Sequence, residues 1–150
     1  MEKRLNLFAK GMNALKPVFE MGGHLKKSSI GEELMELVDF RVSQINACAY
    51  CLDMHSKEAR AKGETEQRLY GLSAWRETPY YTPRERAALA WAEAVTACNV
   101  PDDVYNEAIA HFSEEEMIDL TLAVTSINTW NRLNLAFPNA VGTYKVGMFG

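Results

Sequence analysis

The sequence predicts an all-α protein, and three observations lead to that prediction. Glycines and prolines fall almost wholly between segments in which apolar residues recur with helical spacing. No run of strand length is dominated by β-branched side chains. Two segments, at Thr82 and Ser113, have a glutamate three residues later, which is the pattern of a helix capping box. Since nearly half of the 150 residues are apolar, we expect one globular domain spanning residues 1–150.

The first half of the chain is predicted to form four helices. Gly22 and Gly23 should end the second helix, and Asn46 should interrupt the third and cap the fourth. Gly63 suits the left-handed residue that closes a helix. The predicted ranges are 5–14, 17–21, 31–45 and 47–61.

The second half should contain four more helices. Pro83 fits the first helical position after an N-cap at Thr82, and Pro138 should end the last helix. That last helix is apolar on more than one face, so we expect it to be central or covered by a neighbouring subunit. The predicted ranges are 66–75, 83–98, 101–112 and 113–137, with a turn at 78–81.

Charge and hydropathy exclude several classes of partner. The formal net charge of -4 comes from interleaved acids and bases, so no basic stripe is available for nucleic acid. No segment is apolar for long enough to cross a membrane, and the N-terminal residues lack the pattern of a signal peptide. We therefore expect a cytoplasmic protein that binds neither nucleic acid nor membrane.

Cys48, Cys51 and His55 are the residues whose spacing points to chemistry. Positions i, i+3 and i+7 share one face of a helix. Residues three apart have Cα atoms about 5 to 6 Å apart, which a disulfide accepts. Three cysteines are an odd count, and in a cytoplasmic chain a close pair is more typical of redox or metal chemistry than of a structural disulfide.

The predicted helix start would also make the cysteines reactive. A helix N-terminus stabilises a thiolate and lowers the pKa of a cysteine in its first turn, which favours Cys48 most directly. His55 lies four residues after Cys51 and can exchange a proton with it. Glu36 is a candidate to orient the histidine, because the interruption at Asn46 lets the preceding helix fold back over this face.

The pattern formed by these residues resembles a known signature. Glu36, eleven residues, Cys48-x-x-Cys51, three residues and His55 is similar to the motif of alkylhydroperoxidase D-like proteins in the carboxymuconolactone decarboxylase superfamily. The resemblance covers most of the chain. Further similar stretches are 75–76, 83–94, 100–101, 111–113 and 130–133.

This resemblance implies an all-α bundle of about seven to eight helices that assembles as a homotrimer or homohexamer. It also implies a peroxidase that uses no cofactor or metal. Cys51 would attack the hydroperoxide, Cys48 would close a disulfide with it, and Glu36 and His55 would relay protons. An external dithiol, such as a lipoyl-bearing protein, would reduce the disulfide. The best-known members have a histidine where this chain has Tyr50, whose phenol has a pKa near 10 and cannot shuttle protons at neutral pH.

Other interpretations of the same residues remain open. The superfamily also includes decarboxylase and lactone-processing chemistry, which has no need of two thiols. A metal-binding helical module is the third hypothesis, because Cys48, Cys51, His55 and Glu36 could supply four zinc ligands. Cys98 is expected to be a buried thiol without a catalytic partner.

Overall fold

The computed structural model describes residues 2–150, which form seven α-helices and one 3₁₀ helix with no strand among them. This confirms the predicted all-α class. The helices are α1 (Leu7–Leu25), α2 (Glu32–Ile45), α3 (Ala49–Ala61), α4 (Glu66–Gly71), the 3₁₀ helix (Leu72–Glu77), α5 (Pro83–Thr96), α6 (Asp102–Ile109) and α7 (Glu114–Ala136). None of the helices in the described part combines the length and apolar character that a membrane span requires.

Side-chain caps fix where several helices begin. Both predicted capping boxes form: Thr82 and Glu85 exchange hydrogen bonds at the start of α5, and Ser113 and Glu116 do so at the start of α7. The side chain of Asn6 accepts a hydrogen bond from the third residue of α1, which therefore begins at Leu7.

The long helix α7 is the centre of the domain. It contacts α1, α2, α3, α5 and α6, which explains why apolar residues occur on more than one of its faces. Leu120 and Val124 of α7 are fully buried against Leu37 and Val38 of α2 and Leu89 of α5. This packing holds α2 and α3, the helices that carry the candidate site, against a rigid core.

The prediction of two separate N-terminal helices at 5–14 and 17–21 is wrong, because one helix, α1, continues through Pro17 and the Gly22-Gly23 pair. Proline removes one backbone donor but its fixed φ is compatible with a helix. Contacts with α7 compensate for that loss, among them a tilted ring contact between Phe19 and Trp130 with ring centroids 5.1 Å apart. Tertiary packing therefore overrides the local signals at these positions.

Three predicted helix ends are also too late. The helix predicted at 66–75 stops at Gly71, where a 3₁₀ helix containing a non-helical Ala74 takes over. Helix α6 stops at Ile109 rather than 112. Helix α5 ends at Thr96, and Cys98 lies in the following turn with a left-handed φ of 54°. Cys98 is exposed there, so the expectation of a buried thiol is wrong.

Candidate active site

The bend between α2 and α3 is held by buried polar side chains. Asn131 of α7 is fully buried and donates a hydrogen bond to Oγ of Ser43, at 3.0 Å. The side chain of Asn46 donates to Oδ1 of Asn131 and of Asn128, at 2.9 Å each. Ala47 takes a left-handed φ of 53° and reverses the chain. These contacts make the bend a defined structure, so it fixes the direction in which α3 starts.

The bend delivers the two cysteines to the start of α3. Cys48 is the N-cap residue, and its backbone N–H donates to the carbonyl of Ser43 at 3.1 Å. Cys51 lies in the first turn, and a disulfide joins the two residues with Cα atoms 5.3 Å apart. Both cysteines are only 1% exposed. The structure therefore brings together the pair that the spacing indicated.

His55 lies one turn after Cys51 and contacts two carboxylates of α2. Its Nδ1 is 2.7 Å from Oε2 of Glu36, where the ring N–H donates to the carboxylate. The same nitrogen is 3.8 Å from Oδ2 of Asp39. Glu36 and Asp39 are three residues apart on one helix, so both project towards the imidazole. Fold-back of α2 over α3 thus places Glu36 where the sequence suggested.

Lys62 and Glu58 extend this cluster along α3. Nζ of Lys62 lies 3.2 Å from Glu36 and 3.2 Å from Glu58. Burial alone would raise the pKa of Glu58, but hydrogen bonds from the Gly147 N–H, Tyr144 and Lys62 outweigh it and lower that pKa. The cluster therefore combines three carboxylates with two basic side chains.

Burial and charge set the protonation of the pair formed by His55 and Asp39. Burial alone would lower the pKa of His55, but the charges of Asp39 and Glu36 and the hydrogen bond to Glu36 outweigh it and raise that pKa above 6.5. Burial raises the pKa of Asp39 from 3.8 to about 7, and the neighbouring Glu36 adds to the rise, while His55 and Lys62 oppose it. The cluster can therefore hold and release a proton near neutral pH.

A cavity of about 360 Å³ lies against this cluster. Cys51, His55 and Glu36 form part of its wall, whereas Cys48 does not belong to the lining. The rest of the wall is largely apolar and aromatic, with contributions from α1, α7 and the chain after α7. Its aromatic members are Phe8, Phe19, Tyr50, Trp130, Tyr144 and Phe149.

Residues 138–150, which we call the C-terminal segment, close one side of the cavity. The hydroxyl of Tyr144 and the N–H of Gly147 both donate to Oε1 of Glu58. The N–H of Gly142 donates to Asp53 at 3.2 Å. The ring of Phe149 packs on Phe8, Phe19 and Tyr144, with centroid distances of 5.4, 6.1 and 5.8 Å. Tertiary contacts with α1 and α3 therefore order a segment without helical structure.

The residues best placed to bind a metal ion are Glu36, Asp39 and His55. One ligand atom from each lies within 4.8 Å of the others. The Lys62 ammonium already supplies positive charge to Glu36. The four-ligand zinc site considered from the sequence does not match this arrangement, because the disulfide occupies both sulfurs.

Sequence reasoning missed several parts of the site. Asp39 could have been found, since it lies three residues after Glu36 and so shares its helix face. Lys62 and Glu58 continue the His55 face by the same rule. The contribution of Tyr144 and Phe149 had no comparable signal, because it depends on where the chain runs after Pro138.

Comparisons with known proteins agree with this fold. Residues 13–94 match the sequence model of the carboxymuconolactone decarboxylase family. The uncharacterized protein YdfG of Bacillus subtilis (strain 168) is 42% identical over 142 residues, which cover 93% of this chain and 97% of that protein.

Solved structures are also similar to this chain along most of its length. A protein of unknown function from Agrobacterium tumefaciens, named as a candidate antioxidant defence protein AhpD, gives a TM-score of 0.89 at 39% identity over 95% of this chain and 100% of its own. An uncharacterized peroxidase-related protein from Silicibacter sp. TM1040 gives a TM-score of 0.79 at 23% identity, over 93% of this chain and 76% of its own. The second likeness establishes a shared fold only.

Proposed function

Because this chain belongs to the carboxymuconolactone decarboxylase family and has the AhpD-like fold, we propose that it is a thiol-dependent peroxidase. Its dithiol, Cys48 and Cys51, would reduce hydroperoxides. Glu36 and His55 would relay the protons.

One observation carries this proposal: Cys51 forms part of the wall of a cavity whose wall also contains His55, and Nδ1 of His55 lies 2.7 Å from Glu36. A peroxide bound there would meet the sulfur and a proton donor together. The apolar remainder of the wall favours a hydroperoxide with an organic substituent, because such a wall gains from burying apolar surface.

The reaction balances in three steps. The Cys51 thiolate attacks the distal oxygen of the hydroperoxide and becomes a sulfenic acid, while the alcohol leaves with a proton from His55. The Cys48 thiol then condenses with the sulfenic acid, forming the disulfide and releasing water. An external dithiol finally reduces the disulfide by donating two electrons. The external dithiol is itself oxidised to a disulfide.

The reductant and the assembly are part of the same proposal. A lipoyl-bearing protein in the cytoplasm would be a suitable dithiol donor, as the family resemblance implies. Assembly into a homotrimer or homohexamer is likewise what the family resemblance implies.

Thiol counting tests the proposal. The reduced chain has three thiols, and one equivalent of cumene hydroperoxide should leave only Cys98. The Cys51→Ser variant should keep both of its thiols, and Cys48→Ser should form a sulfenic acid that dimedone traps. Wild-type protein that retains all its thiols, or that purifies with one zinc ion per chain, would contradict the peroxidase and favour the metal-binding alternative.

A further inference from the structure

The two sulfurs of the disulfide differ in how they can be reached. Both cysteines are 1% exposed, so neither is open to solvent directly. Cys51 belongs to the wall of the 360 Å³ cavity, and Cys48 is absent from the wall that residues 2–150 form. A molecule that enters the cavity can therefore contact Cys51 but not Cys48.

Cys48 is enclosed by the bend that precedes α3. Its N–H is bonded to the carbonyl of Ser43, and Ser43 is itself fully buried beside Asn131. Access to Cys48 from this side would require the bend to open and its buried hydrogen bonds to break. Breaking buried hydrogen bonds without new partners is costly, so this route is closed in the folded state.

We propose that the external dithiol attacks Sγ of Cys51, so that one sulfur both meets the hydroperoxide and carries the reductant, while Cys48 is the leaving thiolate. This assignment rests on the proposed peroxidase cycle. The reductant thiolate forms a bond with the sulfur of Cys51, and the bond between Cys51 and Cys48 breaks. The second thiol of the reductant then attacks the reductant sulfur of this mixed disulfide and releases Cys51, so the reductant leaves as a disulfide and both cysteines are reduced.

The surroundings of the two sulfurs suit these roles. Cys48 is the N-cap of a 13-residue helix, whose N-terminal partial positive charge stabilises a departing thiolate. A better-stabilised thiolate leaves a disulfide faster. His55 lies in the cavity wall beside Cys51 and can return a proton to the Cys51 thiolate released in the second step.

The direct test maps the mixed disulfide in oxidised protein. A Cys98→Ser background removes the exposed third thiol, which lies outside the cavity. This protein is mixed with excess 2-mercaptoethanol, quenched with iodoacetamide and digested for mass spectrometry. We expect the mercaptoethanol adduct on Cys51 and the alkyl group on Cys48. An adduct on Cys48, or equal adducts on both, would overturn the assignment.

Single-cysteine variants decide the matter if no adduct accumulates. In the Cys98→Ser background, Cys48→Ser leaves Cys51 alone and Cys51→Ser leaves Cys48 alone. We expect Cys51 to react with 5,5′-dithiobis(2-nitrobenzoate) at least about tenfold faster than Cys48 in the folded protein, and both to react alike in urea. Equal rates in the folded protein would overturn the assignment. Neither experiment uses a hydroperoxide, so its failure is distinct from a failure of the proposed peroxidase.

Discussion

Replacing Asp39 with asparagine should change how the stability of the protein depends on pH. The side chain of Asp39 is 22% exposed and lies 3.8 Å from His55. Burial raises its pKa from 3.8 to about 7, although the positive charges of His55 and Lys62 oppose the rise. Asparagine has nearly the shape of the protonated acid and cannot ionise, so it removes the titration of Asp39 together with the charge by which Asp39 raises the pKa of His55.

The direction in which stability changes with pH follows from proton binding. The folded chain holds the Asp39 proton more tightly than the unfolded chain, so this contribution to stability is full below about pH 4 and is lost as the pH rises through 7. The difference between 3.8 and about 7 is roughly three pH units. At about 1.4 kcal/mol per unit, the free energy of unfolding should rise in Asp39→Asn relative to wild type by up to about 4 kcal/mol.

Urea unfolding of both proteins at about pH 4.5, 6 and 7.5 measures this difference. Glu116→Gln is a matched control, because hydrogen bonds from the Ser113 N–H and Ser29 lower the pKa of Glu116. Its stabilising effect is present above the unfolded pKa and is lost only in acid, so the control difference should stay constant above about pH 5.5. A constant difference between Asp39→Asn and wild type over the whole range would show that Asp39 does not bind its proton more tightly in the folded chain.

Three further substitutions give testable outcomes. Glu36→Gln should slow the oxidation of the reduced dithiol by cumene hydroperoxide about a hundredfold, and it should lower the pKa of His55 measured by NMR. The control Glu33→Gln, on the exposed side of α2, should change neither the rate nor that pKa. Asn131→Ala should lower the free energy of unfolding by about 1–3 kcal/mol in urea, because it leaves buried polar partners unpaired. Phe149→Ala should open the cavity and speed alkylation of the reduced dithiol, and an unchanged rate would show that the C-terminal segment does not limit access.

Local signals in the sequence predict most of the fold. The capping boxes at Thr82 and Ser113 place the starts of α5 and α7 correctly, because a cap is a contact between residues three apart. Pro17 and Gly22 led to a wrong prediction for the opposite reason. Helix α1 continues through both residues because it packs against α7, and local helix propensity does not include such tertiary contacts.

The candidate site also has parts that local sequence signals predict and parts that they do not. The spacing of Cys48, Cys51 and His55 follows from one helix, and the contact with Glu36 follows from a bend that Asn46 signals. The position of the C-terminal segment beside the cavity could not be predicted. A segment without a periodic apolar pattern does not indicate which helices it will contact.

The proposed peroxidase requires that the fold make Cys51 a peroxide-reactive thiol. Stopped-flow mixing of the reduced Cys98→Ser protein with cumene hydroperoxide measures it most directly, with free cysteine at the same pH as the reference. We expect disulfide formation at least about a hundredfold faster than oxidation of free cysteine, and near-complete loss of that advantage in His55→Asn. A rate equal to that of free cysteine would contradict it.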